Sequence, residues 1–146
     1  MVFSESLQII TQLFLAAILG GLLGLEREFK KKEAGLQTYS LVTLGSCIFT
    51  LISFKLFYFF LDEASIDFDP SRVIQAVALG IGFIAAGVIF RQSSGTVGLT
   101  TAAGLWVAAS IGIAIGAQFY FLAITATILT LIIFVGFGLL EQKAFK

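Results

Sequence analysis

The feature that most constrains this chain is a stretch of 49 residues, from position 92 to position 140, without Asp, Glu, Lys or Arg. A single helix of that length would measure about 74 Å at about 1.5 Å per residue, whereas the hydrocarbon core of a bilayer is about 30 Å thick. A soluble core of this size would need polar partners that the stretch lacks. The stretch is therefore predicted to cross a membrane twice, with a turn near residues 116–118.

The composition agrees with a membrane protein and narrows its chemistry. Of the 146 residues, 58% are hydrophobic and 12% are charged, about half the ~25% charge of a soluble domain. The net charge is zero, so no nucleic-acid partner is expected. The chain has no His and one cysteine, Cys47, which excludes a Ser-His protease and leaves only oxygen ligands for any metal. We expect no enzymatic activity and no cofactor.

Charge-poor windows predict five membrane-spanning helices within one domain, residues 1–146. Lys55 lies in the second window, where its amine can reach the surface beside an aromatic run at residues 57–60. The predicted fold is thus an all-α integral membrane protein, a bundle of five transmembrane helices. The predicted spans are residues 6–25, 34–61, 73–90, 98–116 and 119–140.

The basic residues predict the orientation of the bundle. In a five-helix zigzag, Lys55 and Arg72 fall on one side and the other seven of the nine cations fall on the opposite side. Because cytoplasmic loops carry an excess of Lys and Arg, the N-terminus is predicted outside and the C-terminus in the cytoplasm. The seven cytoplasmic cations are Arg27, Lys30, Lys31, Lys32, Arg91, Lys143 and Lys146.

Small residues recur every four positions on the first, third and fourth predicted helices. Such residues let helix backbones approach closely in a membrane. The pattern indicates either packing within one chain or contact between chains, so a homodimer is one expectation. The residues predicted to mediate helix packing include Gly20, Gly24, Gly82, Gly104 and Gly112.

Hydroxyl groups line one face of the second predicted helix, and we call this face the hydroxyl stripe. Steps of four, three, four and three residues place its members on one side of the helix. The stripe could line a wet pathway, or its hydroxyls could bond to helix carbonyls and pack against a neighbour. Its members are Tyr39, Thr43, Ser46, Thr50 and Ser53.

Local signals mark several helix ends. Opposite charges four residues apart within residues 26–32 are typical of a helix that continues beyond the first span, until Gly35 can serve as its C-terminal cap. Asp69 followed by Pro70 is typical of the start of the third helix. Residues 91–98 read as a flexible polar connection.

Polar residues at the cytoplasmic ends of the first four predicted helices form the candidate functional site. We predict that Glu26 and Arg91 pair there, because they have opposite charge at similar depth. The alternative is that the charges only flank the spans and reach towards water. The predicted cytoplasmic cluster comprises Glu26, Arg27, Gln37, Thr38, Arg91, Thr100 and Thr101.

Several blocks resemble the MgtC/SapB membrane family, in order over nearly the whole chain. They are GLLGLERE (residues 21–28), AGLQT (34–38), LVTLG (41–45), GIGFIAAGVIFR (80–91) and GLTTAAGLW (98–106). In that family these blocks form the N-terminal transmembrane domain of bacterial plasma-membrane proteins. Two departures stand out. Val97 precedes the GLTT block where many members have a basic residue, and the chain is expected to lack the soluble C-terminal domain of many members.

The resemblance implies a link to growth in low magnesium and to virulence. It implies a bilayer-embedded protein that modulates another membrane protein. The alternative is a small transporter or channel for Mg²⁺ or another cation. No carboxylate lies deep in a predicted span, where a cation carrier is expected to keep one, although carbonyls and hydroxyls can also serve an ion.

Overall fold

The computed structural model describes residues 2–60, 69, 71–92 and 95–140. These residues form five helices and a two-stranded β ribbon. The fifth helix continues through a π-helical segment, Ile133–Phe137. The helices are α1 (Val2–Phe29), α2 (Leu36–Phe60), α3 (Ser71–Gly87), α4 (Leu99–Gly116) and α5 (Tyr120–Ile132), and the strands are β1 (Phe90–Gln92) and β2 (Gly95–Val97).

Four of the described helices are long and apolar enough to cross a membrane, namely α1, α2, α4 and α5 with its extension to Leu140. Helix α3 is apolar but has only 17 residues, about 26 Å at about 1.5 Å per residue, which is less than a ~30 Å hydrocarbon core. The predicted third span over residues 73–90 is therefore wrong at its end. The helix stops at Gly87 because the chain enters β1 at Phe90.

The segment expected to be a flexible connection is instead an antiparallel ribbon. Phe90 pairs with Val97, Arg91 with Thr96 and Gln92 with Gly95. The ribbon leads directly into α4 through Gly98, whose φ of 88° suits glycine. Because the Gly98 backbone approaches the Val88 carbonyl, a side chain at this position would collide with it.

Consecutive helices run in opposite directions, so the bundle has two ends, named here by their connections. At the α1–α2 end, Gly24 packs against Gly35, and the Phe134 carbonyl accepts a hydrogen bond from Lys30. At the α4–α5 end, Gln12 donates to the Ile115 carbonyl at 2.8 Å. Helix α3 starts at the α4–α5 end, beside residues 113–119, and finishes beside the start of α4. The described helices therefore form an up-and-down bundle.

Helix α4 lies at the centre of this bundle. It contacts α1, α2, α3 and α5, and most of its residues are buried. Its C-terminus carries the turn predicted near residues 116–118, and the structure confirms that prediction. Phe119 N–H bonds to Ala114 O at 2.8 Å, Gln118 N–H bonds to Ile115 O at 3.0 Å, and Gln118 has a φ of 66°. This is a Schellman motif, which satisfies the last carbonyls of α4.

A second Schellman motif ends α1, and it corrects the predicted cap. Lys32 N–H bonds to Arg27 O at 3.0 Å, Lys31 N–H bonds to Glu28 O at 2.9 Å, and Lys31 takes the left-handed φ of 52°. The prediction that Gly35 caps α1 is wrong. The Gly35 carbonyl accepts the Tyr39 N–H at 3.1 Å, so Gly35 opens α2.

Asp69 caps α3 as predicted. Its Oδ1 accepts the Ser71 N–H at 2.9 Å, which satisfies one of the unpaired donors of the first turn. Hydrogen bonds from the Ser71 side chain and from the Ser71 N–H lower the pKa of the exposed Asp69 carboxyl below its usual value. Pro70, the other half of the prediction, lies outside the described residues.

Close helix contacts occur at four of the five glycines predicted to mediate packing. A Cβ on Gly24 would lie 2.6 Å from Gly35 O, and one on Gly20 would lie 2.6 Å from Tyr39 O. Gly104 and Gly112 are equally tight against Tyr39 and Thr43. Gly82 differs, since a Cβ there meets no atom of the described residues within 4 Å. A packing role for Gly82 therefore stays a prediction.

Candidate functional site at the α1–α2 end

Arg27 is the one charged residue of the described chain that is buried, with 3% of its side chain exposed. It lies four and seven residues after Leu23 and Gly20, on the face of α1 that packs inwards. Its Nε donates to the Glu26 carboxylate, and its guanidinium carbon lies 3.8 Å from the centroid of the Phe134 ring. A carboxylate and an aromatic face thus replace water around this cation.

Lys30 connects the same carboxylate to the π-helical segment that follows α5. Its Nζ lies 2.7 Å from Glu26 Oε1 and donates to the Phe134 carbonyl at 2.9 Å. The predicted pairing of opposite charges four residues apart is therefore confirmed for Glu26 and Lys30. Near the last turns of a helix an ammonium donor is favoured by unpaired carbonyls and by the helix dipole. This contact joins Lys30 and Phe134, which are 104 positions apart in the chain.

Glu33 and Tyr39 attach the start of α4 to the same region. Thr101 Oγ1 donates to Glu33 Oε2 at 2.7 Å, and Tyr39 Oη donates to the Thr101 carbonyl at 3.1 Å. The hydrogen bond from Thr101, together with one from its own backbone N–H, lowers the pKa of Glu33 below its usual value. Tyr39 also meets Phe134 edge-on, with ring centroids 6.4 Å apart. Gly104 leaves the space that both rings need.

These contacts define one cluster, which we call the inner cluster. It joins the α1–α2 connection to α1, α2, α4 and the end of α5. Its two carboxylates and two cations balance in charge, and each charged group contacts another residue of the chain. Its members are Glu26, Arg27, Lys30, Glu33, Tyr39, Thr101 and Phe134.

Three of the seven residues predicted for the cytoplasmic cluster belong to the inner cluster, namely Glu26, Arg27 and Thr101. Thr38 is half-buried, and Gln37 and Thr100 are exposed on the first turns of their helices.

The predicted Glu26–Arg91 pair stays a prediction. The Arg91 backbone lies in β1 opposite Thr96, but its side chain lies outside the described residues. The partners of Glu26 in the described chain are Arg27 and Lys30. Arg91 therefore does not enter the inner cluster as defined here.

Sequence reasoning missed Lys30, Glu33, Tyr39 and Phe134 as members of this site. A signal existed for Lys30, which lies three residues after Arg27 and pairs with Glu26 at helical spacing. Tyr39 heads the hydroxyl stripe. Phe134 is one of 16 phenylalanines. Its position beside Arg27 depends on how α5 packs beside α1.

The hydroxyl stripe packs inside the bundle. All five members are buried, Thr43 Oγ1 donates to Tyr39 O at 2.9 Å, and Thr50 Oγ1 donates to Ser46 O at 2.8 Å. The glycines of α4 lie directly against this face, and a Cβ on Gly116 would be 2.7 Å from Thr50 Cβ. Of the two interpretations given above, the contacts support helix packing.

The chemistry available at the inner cluster is binding and positioning. Its charges form ion pairs and hydrogen bonds at the junction of four helices. Within residues 2–60, 69, 71–92 and 95–140, no group of three or more His, Cys, Asp or Glu side chains could hold a metal ion. The arrangement fixes the relative positions of α1, α4 and α5 at this end of the bundle.

Comparison with known proteins gives the relatives of the chain. The model of the MgtC family matches residues 13–143. A protein of Escherichia coli K12 named "Putative magnesium transporter YhiD" is 43% identical over 129 residues, which is 86% of this chain and 59% of that protein. "Protein SapB" of Bacillus subtilis is 42% identical over 77% of this chain and 49% of its own length. "Protein MgtC" of Brucella abortus is 40% identical over 77% of this chain and 44% of its own length.

No solved structure matches the chain. The chain spans between 44% and 59% of the lengths of these three relatives. The family match covers all the described helices except the first turns of α1. With a family model over most of its length and four helices able to cross a bilayer, the chain belongs to the MgtC family of multi-pass bacterial membrane proteins.

Proposed function

We propose that this chain is a non-enzymatic module that modulates another membrane protein under magnesium limitation and, in a pathogen, during virulence. The observation that carries the proposal is the closed packing of α2 against α4. The hydroxyls that would line an ion pathway are buried, and Thr43 and Thr50 donate to carbonyls of their own helix. A rigid bundle of this kind suits recognition of a partner in the bilayer.

We also propose five membrane spans, with the N-terminus outside and the C-terminus in the cytoplasm. The α1–α2 end carries Arg27, Lys30, Lys31 and Lys32, and excess cations favour the cytoplasmic side. Although α3 is short, it lies in the bundle between the two ends, antiparallel to α4. Reporter fusions after Ser65 and after Lys146 are expected in opposite compartments. Equal compartments for both fusions would contradict five spans.

One face of α3, which no described residue covers, offers the surface for a protein partner or a second copy of the chain. Gly80, Gly82 and Gly87 have no described atom where a Cβ would be, and Phe83 beside them is 85% exposed. Glycines beside a projecting aromatic side chain allow close approach of another transmembrane helix. A homodimer through this face is part of the proposal.

Flux measurements on the purified chain in liposomes test the module against a transporter. A module moves no Mg²⁺ but is recovered with a partner after crosslinking in its native membrane. Saturable Mg²⁺ flux by the chain alone would refute the module. Glu26→Gln and Arg91→Gln are expected to impair growth in low magnesium at normal protein level, whereas Lys31→Gln, a change at an exposed cation, serves as the control.

The alternative function is a small transporter or channel for Mg²⁺ or another cation. The observation that favours it is the name of the Escherichia coli relative, "Putative magnesium transporter YhiD". Under this alternative the half-buried carboxylate Glu26 would exchange its cationic partners for an ion. Glu26→Gln would then abolish flux in liposomes, a result that the module does not produce.

A further inference from the structure

A cavity of about 380 Å³ lies near the α4–α5 end, between α2, α3 and α4. It is far from the inner cluster, and its walls are mostly apolar. This volume falls within the ~300–1,000 Å³ of small-molecule sites. Apolar side chains that line it include Phe54, Ile74, Ile113 and Leu122.

Ser53 lines this cavity and carries a buried hydroxyl without a partner among the described residues. The residue is 3% exposed, and its Oγ has no hydrogen-bond partner among the described residues. The other hydroxyls at the cavity differ. Thr50 donates to Ser46 O at 2.8 Å, Ser110 donates to Trp106 O at 3.2 Å, and the Ser71 side chain bonds to Asp69. A buried donor left unpaired is unfavourable, so Ser53 points to an acceptor beyond the described residues.

The opening of the cavity indicates where that acceptor comes from. Ile74, Phe119 and Leu122 line the cavity and are themselves exposed on the outer surface of the bundle. Exposed apolar faces of a transmembrane bundle lie against lipid. The cavity therefore opens towards the bilayer, and its occupant is drawn from hydrocarbon.

The depth of Ser53 identifies the chemical class of the occupant. Lys55, two residues or about 3 Å further along α2, pairs with Glu5 at 2.9 Å. Tyr58 follows and is 70% exposed. An ion pair and an exposed tyrosine are typical of the membrane–water interface, so Ser53 lies just inside it. Phospholipid ester carbonyls lie at this boundary between headgroups and hydrocarbon.

We propose that the cavity binds one membrane phospholipid. One acyl chain fills the space between α2, α3 and α4, and the Ser53 hydroxyl donates a hydrogen bond to the ester carbonyl. An ester carbonyl is an acceptor only, which complements the unpaired Ser53 donor. The apolar walls match the acyl chain.

Native mass spectrometry of the full chain in mild detergent tests this proposal. We expect one phospholipid retained per chain, with Ser53→Ala reducing retention about three- to tenfold through loss of one hydrogen bond. Ser110→Ala is the matched control, because its hydroxyl lines the same cavity but already donates to Trp106 O. Ala114→Leu is expected to abolish retention by filling the space.

A phosphatidylethanolamine with a photoreactive acyl chain gives a second measurement in liposomes. We expect labelling of residues 110–122 at the cavity, lost in Ala114→Leu and reduced in Ser53→Ala. Unfolding in detergent checks that each variant is folded. Equal retention in the wild type, Ser53→Ala and Ser110→Ala would overturn the proposal. So would label spread evenly over all exposed helix faces, or a cavity that retains only detergent or free fatty acid.

Discussion

Replacing Gly112 by alanine tests whether α4 is held against the hydroxyl stripe by direct backbone contact. The new Cβ would collide with the Thr43 carbonyl oxygen and lie 2.9 Å from Ser46 Cβ. A flexible side-chain tip could move aside, but the carbonyl belongs to the α2 backbone. The two helices must therefore separate for the methyl group to fit.

The size of the effect follows from two opposed terms. Overpacking of a well-packed core costs about 1–3 kcal/mol, and a backbone obstacle places Gly112→Ala at the upper end of that range. Removal of a helix-interior glycine returns up to about 1 kcal/mol. The free energy of unfolding is expected to fall by about 2 kcal/mol.

Gly82→Ala is the matched control, because this glycine also lies in a helix but a Cβ there would meet no atom of the described residues within 4 Å. Only the helix-propensity term applies there, so the variant is expected to be as stable as the wild type or up to about 1 kcal/mol more stable. Equilibrium unfolding in mixed detergent micelles at low protein concentration measures both variants. Gly112→Ala as stable as Gly82→Ala would refute the contact between α2 and α4.

Three further predictions concern the α1–α2 end and use the same unfolding measurement. Arg27→Gln is expected to lower the free energy of unfolding by about 2–4 kcal/mol, because it removes the buried partner of Glu26 and the contact with Phe134; an effect no larger than that of the exposed Lys31→Gln would contradict this. Lys31→Gly is expected to be neutral or stabilising by up to about 1 kcal/mol, since Lys31 holds a left-handed φ that glycine adopts freely, and clear destabilisation would speak against the Schellman motif. Because the folded-state pKa of Glu33 is lowered, its contribution to stability is present above the ordinary glutamate pKa and is lost as pH falls through the lowered value. Thr101→Val is expected to weaken this acid dependence in unfolding measured from pH 7 downwards, and an unchanged pH profile would exclude the Glu33–Thr101 hydrogen bond as its source.

The sequence determined the membrane class, the approximate spans and one turn of this protein. A run of 49 residues without charge exceeds what one helix can place in a bilayer, so the turn at residues 116–118 was predictable from length alone. Helical periodicity also placed the five hydroxyl side chains of α2 on one face, since 3.6 residues per turn fixes which positions share a side.

The partner of each face was decided only by tertiary structure. The same spacing of small residues occurs on α3 and α4, yet Gly112 touches α2 and Gly82 faces open space. Periodicity tells which residues share a face but not which helix covers it.

The contacts of the inner cluster were also decided by tertiary structure. Lys30 contacts Phe134, which is 104 positions away in the chain. The sequence around either residue does not predict that contact. The charges at the end of α1 were visible in the sequence. Their partners depended on α5 running beside α1 in the same direction, which places Phe134 beside Arg27.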